Sequence, residues 1–348
     1  MPTTYTAVIT SDRYSEEQDS LAPELEILAE FPDLRMDLRV EHFETIDDLV
    51  RLGNEADALF LSTRDAVPRE ALERIERARV IARYGVGLDN VDLDAAADQG
   101  IVITHFPQYC MAEVADHAVS LVLALNRRLI QLDSDIRDGA WGRHGSLTSE
   151  ILRGPVKALR ESRLGLVGLG RIGEKIASRL APFGVEIVVN DPYIDASRIH
   201  SVGAQSMEFD DLISTADIIV LITPLTPDTR GLLGREQFDR MRSDVIIVNT
   251  SRGPVIDQSA LVDFLRTHPM AQAGLDVFEE EPLDADSPLC QLPNVVLTPH
   301  SAYYSERSVQ ILRDETFRSA IDVLRGIQPP TIANPRVLEK VDLHPREQ

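Results

Sequence analysis

Three stretches in the second half of the chain carry the residue types that an anion clamp and a proton relay require. Val248-Asn249-Thr250-Ser251-Arg252-Gly253 delivers an arginine just past an apolar run. Gly274-Leu275-Asp276-Val277-Phe278-Glu279-Glu280-Glu281-Pro282 sets three glutamates in a row after another. Leu297-Thr298-Pro299-His300-Ser301-Ala302-Tyr303-Tyr304 ends a third on a histidine. An arginine fork binds a carboxylate and polarises the carbonyl next to it. Histidine gives and takes protons near neutral pH, and a glutamate on its other ring nitrogen holds the tautomer and stabilises the imidazolium. With a hydride carrier, this set suits interconversion of a 2-hydroxy acid and a 2-keto acid. Each residue alone has a plainer reading: Arg252 as a surface ion pair, 279–281 as a solvated loop, a lone histidine as structural. The structural reading is the one given to His42, His105, His117, His144, His200, His268 and His344.

A carrier site stands upstream. Leu164-Gly165-Leu166-Val167-Gly168-Leu169-Gly170-Arg171-Ile172-Gly173 is an apolar run ending in G-x-G-x-x-G, and apolar residues at helical spacing follow it. Strand, tight turn and helix start together bind a pyrophosphate on free N–H groups, with Gly168, Gly170, Arg171, Ile172 and Gly173 at the contact. The next apolar run, Val185-Glu186-Ile187-Val188-Val189-Asn190, ends at Asp191. That is about 20 residues on, where a carboxylate accepts from ribose hydroxyls and repels a 2′-phosphate, so NAD is expected rather than NADP.

The elements that must position these groups follow from hydrophobic patterning. Strands are expected at 5–10, 37–40, 58–61, 80–84 and 101–104, with helices at 21–30, 46–53, 69–77 and 93–99 between them. Such alternation predicts a parallel sheet covered on both faces. A longer helix is expected at about 112–128, then a polar, irregular, exposed arm over 133–157. Alternation restarts with strands at 164–168, 186–190, 218–222, 245–249, 271–275 and 295–297, and a final helix covers about 305–325. Prolines fall in the loops after these strands, near the ends where such sheets bind ligands.

Composition narrows the classes. The chain has 348 residues, 43% hydrophobic and 26% charged, which suits two globular domains. A formal net charge of −22 without a basic patch argues against nucleic acid. No apolar run is long enough to span a bilayer, no secretion signal opens the chain, and Cys110 and Cys290 form no disulfide framework, so a cytoplasmic location is expected. No metal site is read.

The motifs together resemble the D-2-hydroxyacid dehydrogenase family. The likeness runs through Arg83-Tyr84-Gly85-Val86-Gly87-Leu88-Asp89-Asn90-Val91-Asp92, the 168–173 turn, Ile222-Thr223-Pro224-Leu225-Thr226, 249–253, 275–282 and Thr298-Pro299-His300. Within the family, Asp191-Pro192-Tyr193 and His300-Ser301-Ala302-Tyr303-Tyr304-Ser305-Glu306 look most like the branch containing the C-terminal-binding-protein corepressors. The resemblance implies an α/β fold of two doubly wound parallel-sheet domains. A Rossmann NAD-binding domain, 106–303, is inserted into a flavodoxin-like substrate domain, 1–105 with 304–348. It implies Arg252 as carboxylate and carbonyl clamp, His300 as acid and base, and Glu281, the residue before the proline, as its partner. Thr223, Pro224, Thr229, Thr250 and Ser251 would line NAD, and Asp276 would meet the nicotinamide carboxamide. Arg83 with the N–H groups of Val86 and Gly87 would hold the substrate carboxylate across a cleft.

Departures bear on the substrate. Tyr303 stands where the corepressor branch has tryptophan, giving a smaller aromatic pocket wall, and Phe106-Pro107-Gln108-Tyr109-Cys110-Met111 replaces the family's small-residue loop. No regulatory domain is expected after residue 330, unlike the long phosphoglycerate dehydrogenases. A small keto or hydroxy acid is the expected substrate and a homodimer the expected assembly. The alternative is a dinucleotide-responsive, corepressor-like binding protein, for which no stretch supplies a partner groove.

Overall fold

Side-chain alternation along buried strands explains both halves of the molecule, described here from a computed structural model over residues 3–10, 18–144 and 156–346. The chain divides into two units, Met1–Tyr109 with Ser305–Gln348, and Cys110–Tyr304.

In the first unit, β1 (Thr3–Ile9), β2 (Leu34–Val40), β3 (Ala58–Ser62), β4 (Val80–Tyr84) and β5 (Val102–Thr104) form one parallel sheet in the order β2-β1-β3-β4-β5. This is the flavodoxin-like order. Residues of β3 point to opposite faces in turn. Leu59 and Leu61 join Leu49, Leu52, Leu72 and Ala95 from the helices Ile46–Glu55, Arg69–Leu72 and Leu93–Asp98. Phe60 faces the other way and stacks on Phe317 of the helix Glu306–Leu324, ring centroids 5.3 Å apart. That contact explains why the last helix packs with the first hundred residues: it covers the sheet face opposite those three helices.

The second unit holds seven parallel strands, β6 (Arg163–Val167), β7 (Glu186–Asn190), β8 (Gln205–Ser206), β9 (Ile218–Leu221), β10 (Ile246–Asn249), β11 (Gln272–Leu275) and β12 (Val295–Leu297). Their order, β12-β11-β10-β9-β6-β7-β8, reverses between β6 and β9. This is the switch point at which doubly wound sheets bind dinucleotides. Leu164, Leu166, Val220 and Val248 pack under the helices Met111–Asn126 and Arg171–Leu180. Ile219, Ile247 and Ala273 pack on the other face against Leu212, Phe238 and Leu261. Among the described residues no helix is long and apolar enough to cross a membrane.

Two local expectations need correction, and one strand is not among those expected. The helix expected over 69–77 ends at Leu72. Strand β8 is only two exposed residues, Gln205 and Ser206, too short and too polar to register as a hydrophobic pattern. The arm expected to be irregular over 133–157 is helical at Leu129–Arg137 and Ala140–His144, while 145–155 lie outside the described residues. Arg128 adopts a left-handed backbone (φ 52°) that ends one helix and begins the next. Leu129, Ile130, Ile136 and Trp141 lie exposed along the arm, so its helical spacing serves no core among the described residues.

Phe317 is fully buried, so Phe317→Ala is expected to cost roughly 3–5 kcal/mol through lost burial and the cavity left behind. Urea unfolding should show a lower midpoint than wild type, and an unchanged midpoint would contradict the packing role.

Candidate active site

The glycine turn is built for close approach. Gly168 has φ +99°, and a Cβ there would lie 2.8 Å from the Ile222 carbonyl oxygen. At Gly173 a Cβ would lie 2.9 Å from the Gly168 oxygen, so this glycine lets the helix Arg171–Leu180 start against the turn. A Cβ on Gly170 would meet nothing within 4 Å, which leaves open space over the helix start. Gly170 is the N-cap and supplies no side-chain acceptor, while Arg171 is exposed and Ile172 half-buried in the first turn. Asp191 reaches back: its Oδ2 accepts from the Leu169 N–H at 2.8 Å and its Oδ1 from the Tyr193 N–H at 3.0 Å. The carboxylate thus holds the turn in shape and stays at the end of β7.

The loop after β9 carries Thr223, Pro224 and Thr229. The Thr229 hydroxyl donates to the Pro224 carbonyl at 2.7 Å and accepts from the Thr226 N–H at 2.7 Å, so it closes the loop on itself.

At the end of β10 the organiser is Asn249, which sequence patterning marks only as a strand end. Its Oδ1 accepts from the Ser251 N–H (3.0 Å) and hydroxyl (2.7 Å), and its Nδ2 donates to the Arg252 carbonyl (2.9 Å). This ties the turn that presents Arg252, whose Nη1 donates to the Ser251 carbonyl at 2.8 Å. Thr250 is buried, with its Oγ1 without a partner. A Cβ on Gly253 would lie 1.8 Å from the Phe278 carbonyl oxygen, so only glycine lets this turn press against the loop after β11.

Of the three glutamates in that loop, one meets the histidine. Glu281 Oε2 lies 2.7 Å from His300 Nδ1, and its Oε1 accepts from the Phe278 N–H at 3.0 Å. Glu279 instead accepts from the Gln258 N–H at the start of the helix Gln258–Thr267, and Glu280 is exposed. Burial pushes the Glu281 carboxyl up. The hydrogen bond and charge of His300, the Phe278 N–H and the charge of Arg252 outweigh this and hold it below the ordinary 4.5. A carboxylate on Nδ1 assigns the ring proton to that nitrogen and leaves Nε2 for exchange.

His300 has φ 51°, a left-handed backbone rare outside glycine. Its N–H donates to the Asp276 carbonyl at 2.8 Å. The Asp276 side chain is 1% exposed; Oδ1 accepts from the Thr298 hydroxyl (2.6 Å) and the Ser301 N–H (2.9 Å), and Oδ2 from the Ala302 N–H (2.9 Å). Asp276 therefore sits beneath the His300 loop, with both carboxylate oxygens held by that loop. The Tyr303 ring meets the His300 ring edge-on at 6.4 Å.

In the first unit Val86 is exposed and Gly87 buried, but Arg83 is 0% exposed. Its guanidinium donates to the Asp65 carbonyl (2.8 Å) and to Asn90 Oδ1 (2.7 Å), and burial lowers its pKa to about 10. Arg83 braces the loop that follows β4. Among the described residues no group of three or more His, Cys, Asp or Glu is arranged to hold a metal.

Residues 119–302 match the family model described as D-isomer specific 2-hydroxyacid dehydrogenase, NAD binding domain. A glyoxylate reductase of Thermofilum pendens is 37% identical over 309 residues, 86% of this chain and 89% of the reductase. A D-3-phosphoglycerate dehydrogenase of Mycobacterium leprae is 41% identical over 246 residues, 71% of this chain, and the match spans only 45% of that longer enzyme. The crystal structure of D-lactate dehydrogenase from Aquifex aeolicus, complexed with NAD and lactic acid, matches with a TM-score of 0.79 at 25% identity, covering 97% of this chain and 98% of that one.

Folding lowers the pKa of Glu281 below its ordinary value. A group depressed on folding stabilises fully above its unfolded value and loses that contribution as the pH falls through the folded one. Melting temperatures of wild type and Glu281→Gln should therefore differ above the ordinary 4.5 and converge below it. A gap that widens on acidification would contradict the assignment.

Proposed function

As a member of the D-isomer-specific 2-hydroxyacid dehydrogenase family, the chain, we propose, is an NAD-dependent enzyme that interconverts a small 2-keto acid and its D-2-hydroxy acid. The observation that carries this reading is the 2.7 Å pair of His300 and Glu281 beside the Arg252 turn. The named relatives are dehydrogenases and reductases, and nothing among them supports a corepressor, so that alternative is set aside.

The residues present fit NAD. Open space over Gly170, a helix start without a side-chain cap, Asp191 at the next strand end and the orphaned Thr250 hydroxyl are the features a dinucleotide needs. Gly168, Gly170, Arg171, Ile172 and Gly173 would take the pyrophosphate and Asp191 the ribose. Thr223, Pro224, Thr229, Thr250 and Ser251 would line the remainder. When bound, the nicotinamide supplies or accepts the hydride at the substrate C2.

The chain's own residues do the rest. Arg252 binds the substrate carboxylate and polarises the carbonyl through its planar fork. His300 gives the Nε2 proton to the carbonyl oxygen in reduction and takes it back from the hydroxyl in oxidation. Glu281 keeps Nδ1 protonated and offsets the charge of the imidazolium. The N–H groups of Val86 and Gly87, on the loop that Arg83 braces, are a carboxylate-binding element of the first unit, and Tyr303 limits the size of the substrate side chain. In this reading residues 106–303 bind the cofactor, and 1–105 with 304–348 the substrate. The exposed Leu129, Ile130 and Trp141 pair the arms of a homodimer.

NADH oxidation with glyoxylate, hydroxypyruvate and pyruvate tests the reading. His300→Ala should lose about 10²–10⁴-fold in kcat while NADH binding, read by fluorescence, survives. Undiminished turnover would sink the mechanism. Asp191→Ala should weaken NADH and narrow the preference over NADPH in paired titrations; an unchanged preference would remove Asp191 from the cofactor site.

A further inference from the structure

A hydrogen-bonded chain reaches the His300 loop from a residue outside every motif singled out in the sequence. His117 lies on the helix Met111–Asn126, and its Nε2 is 3.0 Å from Thr298 Oγ1 and 3.6 Å from Asp276 Oδ1. The Thr298 hydroxyl gives its single proton to Asp276 Oδ1 at 2.6 Å, so toward His117 its oxygen can only accept. His117 therefore carries its proton on Nε2. The order is His117 N–H to Thr298, Thr298 O–H to Asp276, and the Asp276 carboxylate to the N–H groups of Ser301 and Ala302.

We infer that His117 is a positioning residue for His300. By donating to Thr298 it holds that hydroxyl on Asp276 and keeps the carboxylate oriented to receive the two amides that follow His300. Three features carry the argument. Asp276 is 1% exposed, so water does not replace a lost donor. His300 has a left-handed backbone that persists only where its surroundings over-determine it. The chain ends on the two residues after His300, so an error in its geometry moves the ring relative to Glu281. A histidine that merely fills space on the helix would not need its Nε2 within hydrogen-bond distance of a hydroxyl already committed as a donor.

The inference rests on His300 being the acid and base, and the test separates the two. His117→Leu, His117→Gln, Thr298→Val, the His117→Leu/Thr298→Val double variant and His300→Ala are compared for kcat, KM for the keto acid, NADH affinity and melting temperature. His117→Leu should lose roughly tenfold in kcat with NADH affinity within about twofold, and His117→Gln, which keeps an N–H donor, should recover to within about threefold of wild type. Two links of one chain share one effect, so the double variant should be no worse than the poorer single variant. Wild-type kcat in His117→Leu, equal losses in His117→Leu and His117→Gln, or losses that multiply in the double variant would each overturn the inference. If His117→Leu does not fold, Thr298→Val and His117→Gln carry the comparison: a loss in the first and recovery in the second support it, and any other pairing overturns it. An active His300→Ala would defeat the reading of His300 itself. An inactive His300→Ala beside unimpaired His117 variants would defeat this inference alone.

Discussion

A carboxylate shut away from water governs the end of the second unit where Arg252, Glu281 and His300 arise. Asp276 is 1% exposed, and a buried charge is tolerated only where donors replace its hydration. The donors come from the 298–302 loop: the Thr298 hydroxyl and the N–H groups of Ser301 and Ala302. Each hydrogen-bond donor taken from a buried group costs roughly 1–3 kcal/mol, and more where the group is charged, and Asp276 would lose three. A left-handed backbone at one ordinary residue costs about 1–3 kcal/mol. Stranding the carboxylate is the more expensive of the two, so the loop bends to Asp276 and His300 takes the strained conformation.

The rest of the arrangement follows from strand order. In a parallel sheet every strand delivers its next loop to the same edge, and β10, β11 and β12 are consecutive neighbours. With strands about 4.8 Å apart, loops from three adjacent strands are brought together without any long excursion of chain. What remains is to turn each loop inward. Asn249 does so for Arg252 by binding the Ser251 amide and hydroxyl and the Arg252 carbonyl. Gly253 removes the side chain that would collide with the Phe278 carbonyl. The Phe278 N–H then takes one oxygen of Glu281 and leaves the other for His300.

Much of this is legible in the chain because the signals are local. Runs of Val, Ile and Leu mark strands buried on both faces, and their alternation with helical spacing marks a parallel sheet. The glycine turn carries its own reason, since each glycine answers a collision or an open approach. What escapes a reading of the sequence depends on partners distant along it. Arg83 reads as a cation at a strand end, and only the fold shows the Asp65 carbonyl and Asn90 taking its guanidinium N–H groups. Asp276 looks like a free carboxylate at a strand end, and only the fold brings residues 298–302 over it. His117 lies on a mostly apolar helix, and no spacing rule connects it with Thr298. The arm misleads for the opposite reason: its helical period is present, but its apolar side chains stay exposed and face no core among the described residues.

The two carboxylates at this strand end show how environment divides labour between identical groups. Asp276 is enclosed, and each of its oxygens is committed to backbone or hydroxyl donors, so it sets where the histidine stands. Glu281 is partly exposed, gives one oxygen to backbone and the other to the imidazole, and so sets which ring nitrogen holds the proton. Exchanging their roles would fail on physical grounds. A half-exposed carboxylate would share its backbone donors with water and hold the loop loosely, while a fully enclosed one has no oxygen left to follow the imidazole as it gains and loses charge. Position and protonation of one histidine thus depend on separate acids.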